Sequence, residues 1–309
     1  MFNGLFEPIG VRMLMLKPLR SFARRFLSDC CYSLGTLITT SWKRPERMKH
    51  EDLSVHMLLS SRTWHAGLLS LISFEFFTER RWNLFIHDDG SVDAQARHRI
   101  ESVLPGVRFV PRSEAEVRVR EALIDYPLCW KHRSNHNLFL KFFDVPLFAP
   151  NNRFIFLDSD VLFFQQPNEI LAWTDSGSEE FYYNEDTQEK YALPRHEILH
   201  EYPLELWPCF NSGLMLVPQA ALSFDRAEDF LRTFEKKAHH PQFFEQTLYA
   251  LMASLWGRGG PLPRSYEISW RFFRDKKSIA RHYIGAFKHD VLYLEGATTL
   301  FLKIFLQQR

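Results

Sequence analysis

Residues 154–164 read FIFLDSDVLFF, which places two carboxylates inside an apolar run. Asp158 and Asp160 flank Ser159, with four apolar residues on either side. Buried carboxylates are costly unless they are paired or bind a cation. Two acids at the end of a buried strand therefore suit a hard divalent cation, Mg²⁺ or Mn²⁺. A phosphorylated aspartate and a simple strand-end turn are alternatives that the motif alone leaves open.

The composition is that of an ordinary globular protein. Of 309 residues, 46% are hydrophobic and 24% charged, and Lys+Arg 38 nearly balance Asp+Glu 37. This balance gives no bias toward nucleic acid, and no nucleic-acid partner is expected. The cysteines, an adjacent pair and two distant residues, match neither a zinc spacing nor a disulfide framework. We therefore expect reduced thiols and a cytoplasmic protein.

Residues 1–50 are predicted to be a basic arm outside the main body. No apolar run of about 18 residues occurs, so no spanning helix is predicted. Residues 9–27 mix apolar side chains with cations and suit peripheral contact with the cytoplasmic face of a membrane. A poorly ordered arm or a helix packed on the body explains them equally well. The cations are Arg12, Lys17, Arg20, Arg24 and Arg25. Residues 42–52 resemble a charged linker.

Strands and helices alternate from residue 55 onward. Predicted strands cover 55–61, 82–87, 107–110 and 154–157, and predicted helices cover 64–77, 93–104, 114–124 (with Ser113 as N-cap) and 135–143. This order predicts a mostly parallel, doubly wound sheet, whose ligands bind beyond the carboxyl ends of the strands. The second half is predicted to contain a strand at 211–218, helices at 219–237 and 242–256, and short strands at 265–269 and 280–284.

Four stretches resemble the GT-A-fold glycosyltransferases, most closely the glycogenin-like family 8 of retaining enzymes. They are LLSSRTWHAGLLSLISF (58–74), FLDSDVLFF (156–164), NSGLMLVP (211–218) with FEQTLYALM (244–252), and RHYIGAFKHD (281–290). The resemblance implies one GT-A domain over 51–309, with a nucleotide-binding half (51–160) and a sugar and acceptor half (161–309). It implies metal-dependent transfer of a sugar from a nucleoside diphosphate sugar, expected to be a UDP-sugar, to an unidentified glycan, lipid or protein.

The resemblance also implies roles for individual residues. Asp158, Asp160 and His282 would hold Mn²⁺ or Mg²⁺, with Asp158 also facing the ribose. Asn211 and Gln246 would orient the donor sugar. Trp64 would stack on the base, and Lys288 would contact the diphosphate. The remaining nucleotide-sugar contacts would be Ser60, Lys141, Ser159, Gly213 and Gly285.

The turn HDDGS (87–91) is similar to one in family 2 inverting glycosyltransferases. There an aspartate binds the nucleotide, which would assign Asp89 to the base or ribose. Turn formation explains the same residues equally well.

The sequence departs from the family at two places. Glu245 replaces an aspartate, and His289-Asp290 replaces Pro-Trp. Retention is the preferred outcome, and inversion with Glu245 as the base is the alternative. A haloacid-dehalogenase-type phosphatase with Asp158 as nucleophile is disfavoured. Its motif would follow the first strand, whereas three predicted strands precede the one that ends at Leu157, and no Asp-Asp pair follows residue 160.

Overall fold

The computed structural model describes residues 30, 32–44, 49–285 and 290–307. Within them, seven strands form a main sheet in the order β3-β2-β1-β4-β7-β6-β8. The strands are β1 (Lys49–Leu59), β2 (Arg80–Asp88), β3 (Arg108–Val110), β4 (Arg153–Leu157), β6 (Phe181–Glu185), β7 (Phe210–Pro218) and β8 (Gly259–Pro261). The predicted mostly parallel sheet is confirmed.

Strand β7 runs antiparallel to both of its neighbours, β4 and β6. Its first residues therefore lie at the edge of the sheet where β1, β2 and β4 end. The backbone N–H of Asp158, just after β4, donates to the carbonyl of Gly213 near the start of β7 at 2.7 Å. This reversal brings Asn211, Ser212 and Gly213, near the start of β7, to the same edge as the two acids.

A second sheet of three strands lies beside this edge in the order β5-β10-β9. Its strands are β5 (Val161–Phe163), β9 (Tyr266–Ile268) and β10 (Ala280–His282). The chain passes from the main sheet to the second one through Asp158 to Asp160. The N–H of Tyr283, just after β10, donates to the carbonyl of Asp160 at 2.9 Å. The acids are thus held between two sheets.

Helices cover both faces of the main sheet, and two apolar clusters fill the space between them. One cluster packs around α2, and the other packs around α5, α6, α10 and α11. The helices are 32–41 (α1), Trp64–Thr78 (α2), Ala94–Val103 (α3), Arg112–Ala122 (α4), Pro127–Asn135 (α5), Phe139–Phe143 (α6), Val145–Phe148 (α7), Asn168–Ser176 (α8), Arg195–Glu201 (α9), Phe224–Phe234 (α10), Phe244–Trp256 (α11) and Thr298–Gln307 (α12). None of the described helices is long and apolar enough to cross a bilayer.

Several predicted boundaries were wrong. Helix α4 begins at Arg112 with Pro111 in the N-cap position, so Ser113 lies inside the helix instead of capping it. The helix predicted at 219–237 is a 3₁₀ turn followed by α10, because the hydroxyl of Ser223 caps the N–H of Arg226 at 3.3 Å. The predicted linker is also shorter than expected. Trp42 is buried in the core and β1 already begins at Lys49. Segment 9–27 lies outside the described residues.

A six-residue π-helix, Leu292–Ala297, leads directly into α12. Gly296 faces the side chains of Leu162 and Tyr283, and a Cβ added to it would lie 2.7 Å from each. Glu295 turns inward to pair with Arg281 and Arg274 at 3.3 and 3.2 Å. The π turn is therefore tied through Glu295 to β10, the strand that contains His282.

Candidate active site

Asp158, Asp160 and His282 meet where the two sheets join. One ligand atom from each lies within 4.8 Å of the other two. The Nε2 atom of His282 is 3.2 Å from Oδ1 of Asp160 and 3.9 Å from Oδ2 of Asp158. The sequence separates His282 from the acids widely, and the pairing of β10 with β5 closes that gap.

The tautomer of His282 follows from its neighbours. Oδ1 of Asn211 lies 3.0 Å from Nδ1 of His282 and also accepts the backbone N–H of Gly213 at 2.9 Å. A carbonyl oxygen can only accept, so Nδ1 carries a proton, and Nε2 is the nitrogen that faces the two acids and could bind a cation. An amide that fixes an imidazole through its other nitrogen in this way is typical of metal-ligating histidines.

Gly213 provides the space that this arrangement needs. A Cβ at this position would lie 2.2 Å from Cε1 and 2.5 Å from Nδ1 of His282. The contact of Gly213 with the nucleotide sugar stays a prediction. The structure shows that this glycine allows the imidazole to lie against β7.

The three side chains fit a divalent cation. They offer carboxylate oxygens and one neutral imidazole nitrogen, a mixed set that suits Mn²⁺ or Mg²⁺. Both Oδ atoms of Asp160 are buried. Buried acids this close together repel each other unless positive charge lies between them.

Lys141, on α6, supplies positive charge from the protein itself. Its Nζ lies 2.7 Å from Oδ1 of Asp158, and the side chain is only 4% exposed. Burial opposes its charge, but the nearby carboxylates, Asp158 first and then Glu245, outweigh burial and raise the pKa of Lys141. The hydroxyl of Tyr249 donates to the Lys141 carbonyl at 2.8 Å and fixes the backbone. The contact of the Lys141 side chain with the nucleotide sugar stays a prediction.

Glu245 lies in the first turn of α11, buried close to the same charges. Burial above all, with a further contribution from the charge of Asp158, raises its pKa to about 7, against the opposing effects of Lys141 and Ser212. The hydroxyl of Ser212 donates to Oε2 at 3.0 Å, and Oε1 has no hydrogen-bond partner within the described residues. The adjacent Gln246 donates from Nε2 to the carbonyl of Lys190 at 2.8 Å.

The predicted nucleotide side begins where β1 ends. The carbonyl of Ser60 accepts the N–H groups of Thr63 and Trp64, both at 3.1 Å, which starts α2. Trp64 is half-buried in the first turn of that helix. Ser159 is buried near Gly67, where a Cβ would lie 3.4 Å from the Cβ of Ser159. These residues lie at the expected edge of the sheet, and their contact with a nucleotide stays a prediction.

Asp89 is engaged by its own turn. Its Oδ1 accepts the N–H of Ser91 at 3.0 Å, and its Oδ2 accepts from Asn137 at 3.0 Å. The bond from Ser91 belongs to the turn, and the bond from Asn137 ties the turn to the segment before α6. Both carboxylate oxygens are therefore already engaged by the protein, and the geometry gives no separate reason for a ligand contact. Gly285 has φ of 56° and borders residues 286–289, which lie outside the described part of the chain. Lys288 is among them.

Sequence reasoning missed Asn184. It pairs in register with Asn211 on the neighbouring strand and is buried, yet neither amide atom has a hydrogen-bond partner within the described residues. A buried amide without a partner in the protein can be satisfied by a ligand or a water molecule. The residue types around it are common in loops and strands, so the sequence carried no signal.

A cleft of about 1000 Å³ opens next to this region. Asp186 and Trp270 are among its lining residues. The Nζ of Lys190 pairs with Oδ2 of Asp186 at 3.0 Å and lies 5.2 Å from the centroid of a Trp270 ring. Because the carbonyl of Lys190 accepts from Gln246, the cleft is connected to the site by direct contacts.

Solved structures with the same fold are glycosyltransferases. Mouse xyloside xylosyltransferase 1 in its apo form has a TM-score of 0.52 and 12% identity, covering 78% of this chain and 99% of its own. The galactosyltransferase LgtC, bound to donor and acceptor sugar analogues, has a TM-score of 0.51 and 13% identity, covering 76% and 88%. The bifunctional glycosyltransferase WbbM has a TM-score of 0.52 and 13% identity, covering 83% and 52%.

Sequence comparison gives the family. A search of curated proteins finds no significant match. The family model described as glycosyl transferase family 8 matches residues 80–289, more than half of the chain and a span that contains both acids and His282. Together with the fold, this match shows that the chain belongs to glycosyltransferase family 8 and is a GT-A glycosyltransferase that uses a nucleotide sugar.

Proposed function

We propose that this enzyme transfers a sugar from a UDP-sugar to an acceptor hydroxyl, depends on Mn²⁺ or Mg²⁺, and retains the anomeric configuration. The observation that supports the proposal best is the Asp158, Asp160 and His282 cluster, in which Nε2 of His282 faces both acids. A divalent cation held there would stabilise the negative charge that develops on the leaving diphosphate.

The remaining residues orient groups around the cluster. Lys141 fixes Asp158 and offsets its charge. Asn211 fixes the ring and tautomer of His282. Gln246, at the start of α11, and the unsatisfied amide of Asn184 are placed to hydrogen-bond sugar hydroxyls. Trp64 is assigned to the base, where stacking on an aromatic ring contributes about 1–3 kcal/mol.

Retention is preferred over inversion because of where Glu245 lies. A general base must reach the proton that it removes. Glu245 is 4% exposed, and one of its oxygens accepts from Ser212. Inversion with Glu245 as the base is the second candidate, because a pKa of about 7 is well matched to a base at neutral pH. The anomeric configuration of the first product, read by NMR, decides between them: an inverted product contradicts our preference.

The phosphatase alternative has no support in the fold. The acids follow β4 in the middle of the main sheet, and the chain belongs to a glycosyltransferase family. Only a covalent phosphoenzyme that forms in the parent and is lost in Asp158→Asn would support the phosphatase alternative.

The test of the proposal is a thermal-shift panel of nucleoside diphosphate sugars with and without Mn²⁺. A UDP-sugar should raise the melting temperature only when Mn²⁺ is present, and hydrolysis of that donor should stop with EDTA. Asp160→Asn should abolish both effects, while the matched control Asp125→Asn, at an exposed position, should keep them. Donor hydrolysis that survives EDTA and Asp160→Asn contradicts metal dependence.

For the acceptor, we propose that a glycan, lipid or protein enters through the cleft lined by Asp186 and Trp270. The mixture of acids and aromatics over residues 175–208 supports this assignment. We also keep the proposal of a cytoplasmic enzyme whose segment 9–27 contacts a membrane, which rests on its basic, apolar sequence.

A further inference from the structure

A short loop concentrates the exposed apolar surface of the described chain. Ten large hydrophobic residues are exposed in the described part of the chain, and three of these ten lie within four consecutive positions of this loop. Trp270 is 48% exposed, Phe272 42% and Phe273 71%. The rings of Phe272 and Phe273 contact each other edge to face, with centroids 4.9 Å apart. We call residues 270–277, WRFFRDKK, the aromatic loop.

The aromatic loop is also cationic. Arg271, Lys276 and Lys277 are exposed, Arg274 is half-buried, and Asp275 is the single acid among the eight residues. Contiguous aromatic and basic side chains on a surface mark an interaction site. The positive charge of the loop favours an anionic partner, and its exposed aromatic rings favour a partner with an apolar interior.

Buried side chains hold the backbone of this loop in place. The guanidinium of Arg281, which is fully buried, donates to the carbonyls of Arg271 and Phe272, the latter at 3.2 Å. At the other end, Oε2 of Glu267 accepts the N–H of Asp275 at 2.9 Å. Phe272 and Phe273 therefore project from a backbone that hydrogen bonds hold in place. A segment held this firmly does not need ordering when it binds, which lowers the entropic cost of association.

We propose that the aromatic loop docks on the surface of an anionic phospholipid bilayer. Phe272 and Phe273 enter the interfacial region, and the exposed cations contact lipid phosphates. Arg281, which holds the loop, directly precedes His282 on β10, so docking places the metal cluster and the cleft beside the bilayer. The proposal concerns binding alone, and its test needs no transferase activity.

The test is co-sedimentation of the full chain with phosphatidylcholine vesicles that contain about 30% phosphatidylglycerol. Phe272→Ser with Phe273→Ser should lower the partition coefficient about tenfold. The matched control, Val117→Ser with Ile124→Ser, removes two side chains that are 74% and 78% exposed on α4 and just beyond it, and should bind as the parent does. Phe273→Ser alone, at the most exposed position of the loop, replaces the double variant if its melting temperature falls.

A second pair of variants tests the charge. Lys276→Glu with Lys277→Glu should weaken binding to the anionic vesicles about tenfold and remove most of its dependence on salt. Binding to the anionic vesicles that survives both the phenylalanine and the lysine variants would show that another segment, such as 9–27, carries it, and overturns the proposal. The proposal is also overturned if the Val117 and Ile124 control loses as much vesicle binding as the phenylalanine variant, or if the parent chain does not bind the vesicles.

Discussion

Glu245 should make the unfolding free energy depend on pH, and Glu245→Gln should remove that dependence. Burial, with the charge of Asp158, raises the pKa of Glu245 from its ordinary 4.5 to about 7. A carboxyl whose pKa is raised on folding binds its proton more tightly in the folded state. The resulting stabilisation is complete below about pH 4.5 and is lost as the pH rises through about 7. The full change corresponds to about 3 kcal/mol.

The assay is urea denaturation of both proteins between about pH 4 and pH 8, in EDTA. Glutamine is neutral throughout, and its amide oxygen can still accept from Ser212. Relative to the parent, the variant should gain up to about 3 kcal/mol across this range. Glu179→Gln, at a position 61% exposed, is the control and should run parallel to the parent. Added Mn²⁺ should reduce the gain, because a cation beside Asp158 offsets its charge. Parallel curves for Glu245→Gln and the parent would refute the assignment of the raised pKa.

Three further outcomes are expected. Gly213→Ala forces the ring of His282 away from β7 and should lower Mn²⁺ affinity about 10- to 100-fold by titration calorimetry; unchanged affinity argues against His282 as a ligand. Asp144→Ala leaves the buried Arg133, its partner at 2.8 Å, without a counter-charge, and should cost about 3–5 kcal/mol in urea denaturation; a loss under about 1 kcal/mol contradicts the burial of this pair. Trp64→Ala should weaken UDP binding about tenfold, with Trp64→Phe close to the parent; equal binding by all three proteins rules out stacking.

Much of the fold could be predicted because its signals are local. The apolar runs of β2 and β4 end in turns rich in aspartate, and amphipathic or apolar helical stretches separate the strands. The direction of β7 could not be predicted. All nine of its residues are buried, so its sequence has no alternation to show which way it runs or which strand it pairs with. Short elements such as β5, with three residues, were also missed.

The grouping of Asp158, Asp160 and His282 was predicted from the family resemblance, but the contacts that hold these side chains in place were not. A lysine in a helix usually carries a solvated charge, and nothing in NLFLKFF shows that Lys141 is buried against Asp158. The role of Asn211 toward His282 depends on a side-chain contact between strands of two different sheets, 71 residues apart in sequence. Such contacts are set by packing between distant elements, which periodicity in one sequence cannot reveal.

The π-helix at Leu292–Ala297 has a consequence for the angular position of everything after it. A π turn holds one residue more than an α turn would. Deleting one residue within 292–297 should convert the segment to an ordinary α-helix and leave α12 at nearly the same angle, because the wider turn had absorbed the extra residue. Leu300 and Ile304 would then stay buried in the core. A deletion within α12 has no wider turn to absorb it and would rotate the residues that follow by about 100°. The C-terminal helix should therefore tolerate the loss of one residue from the π turn better than the loss of one from α12.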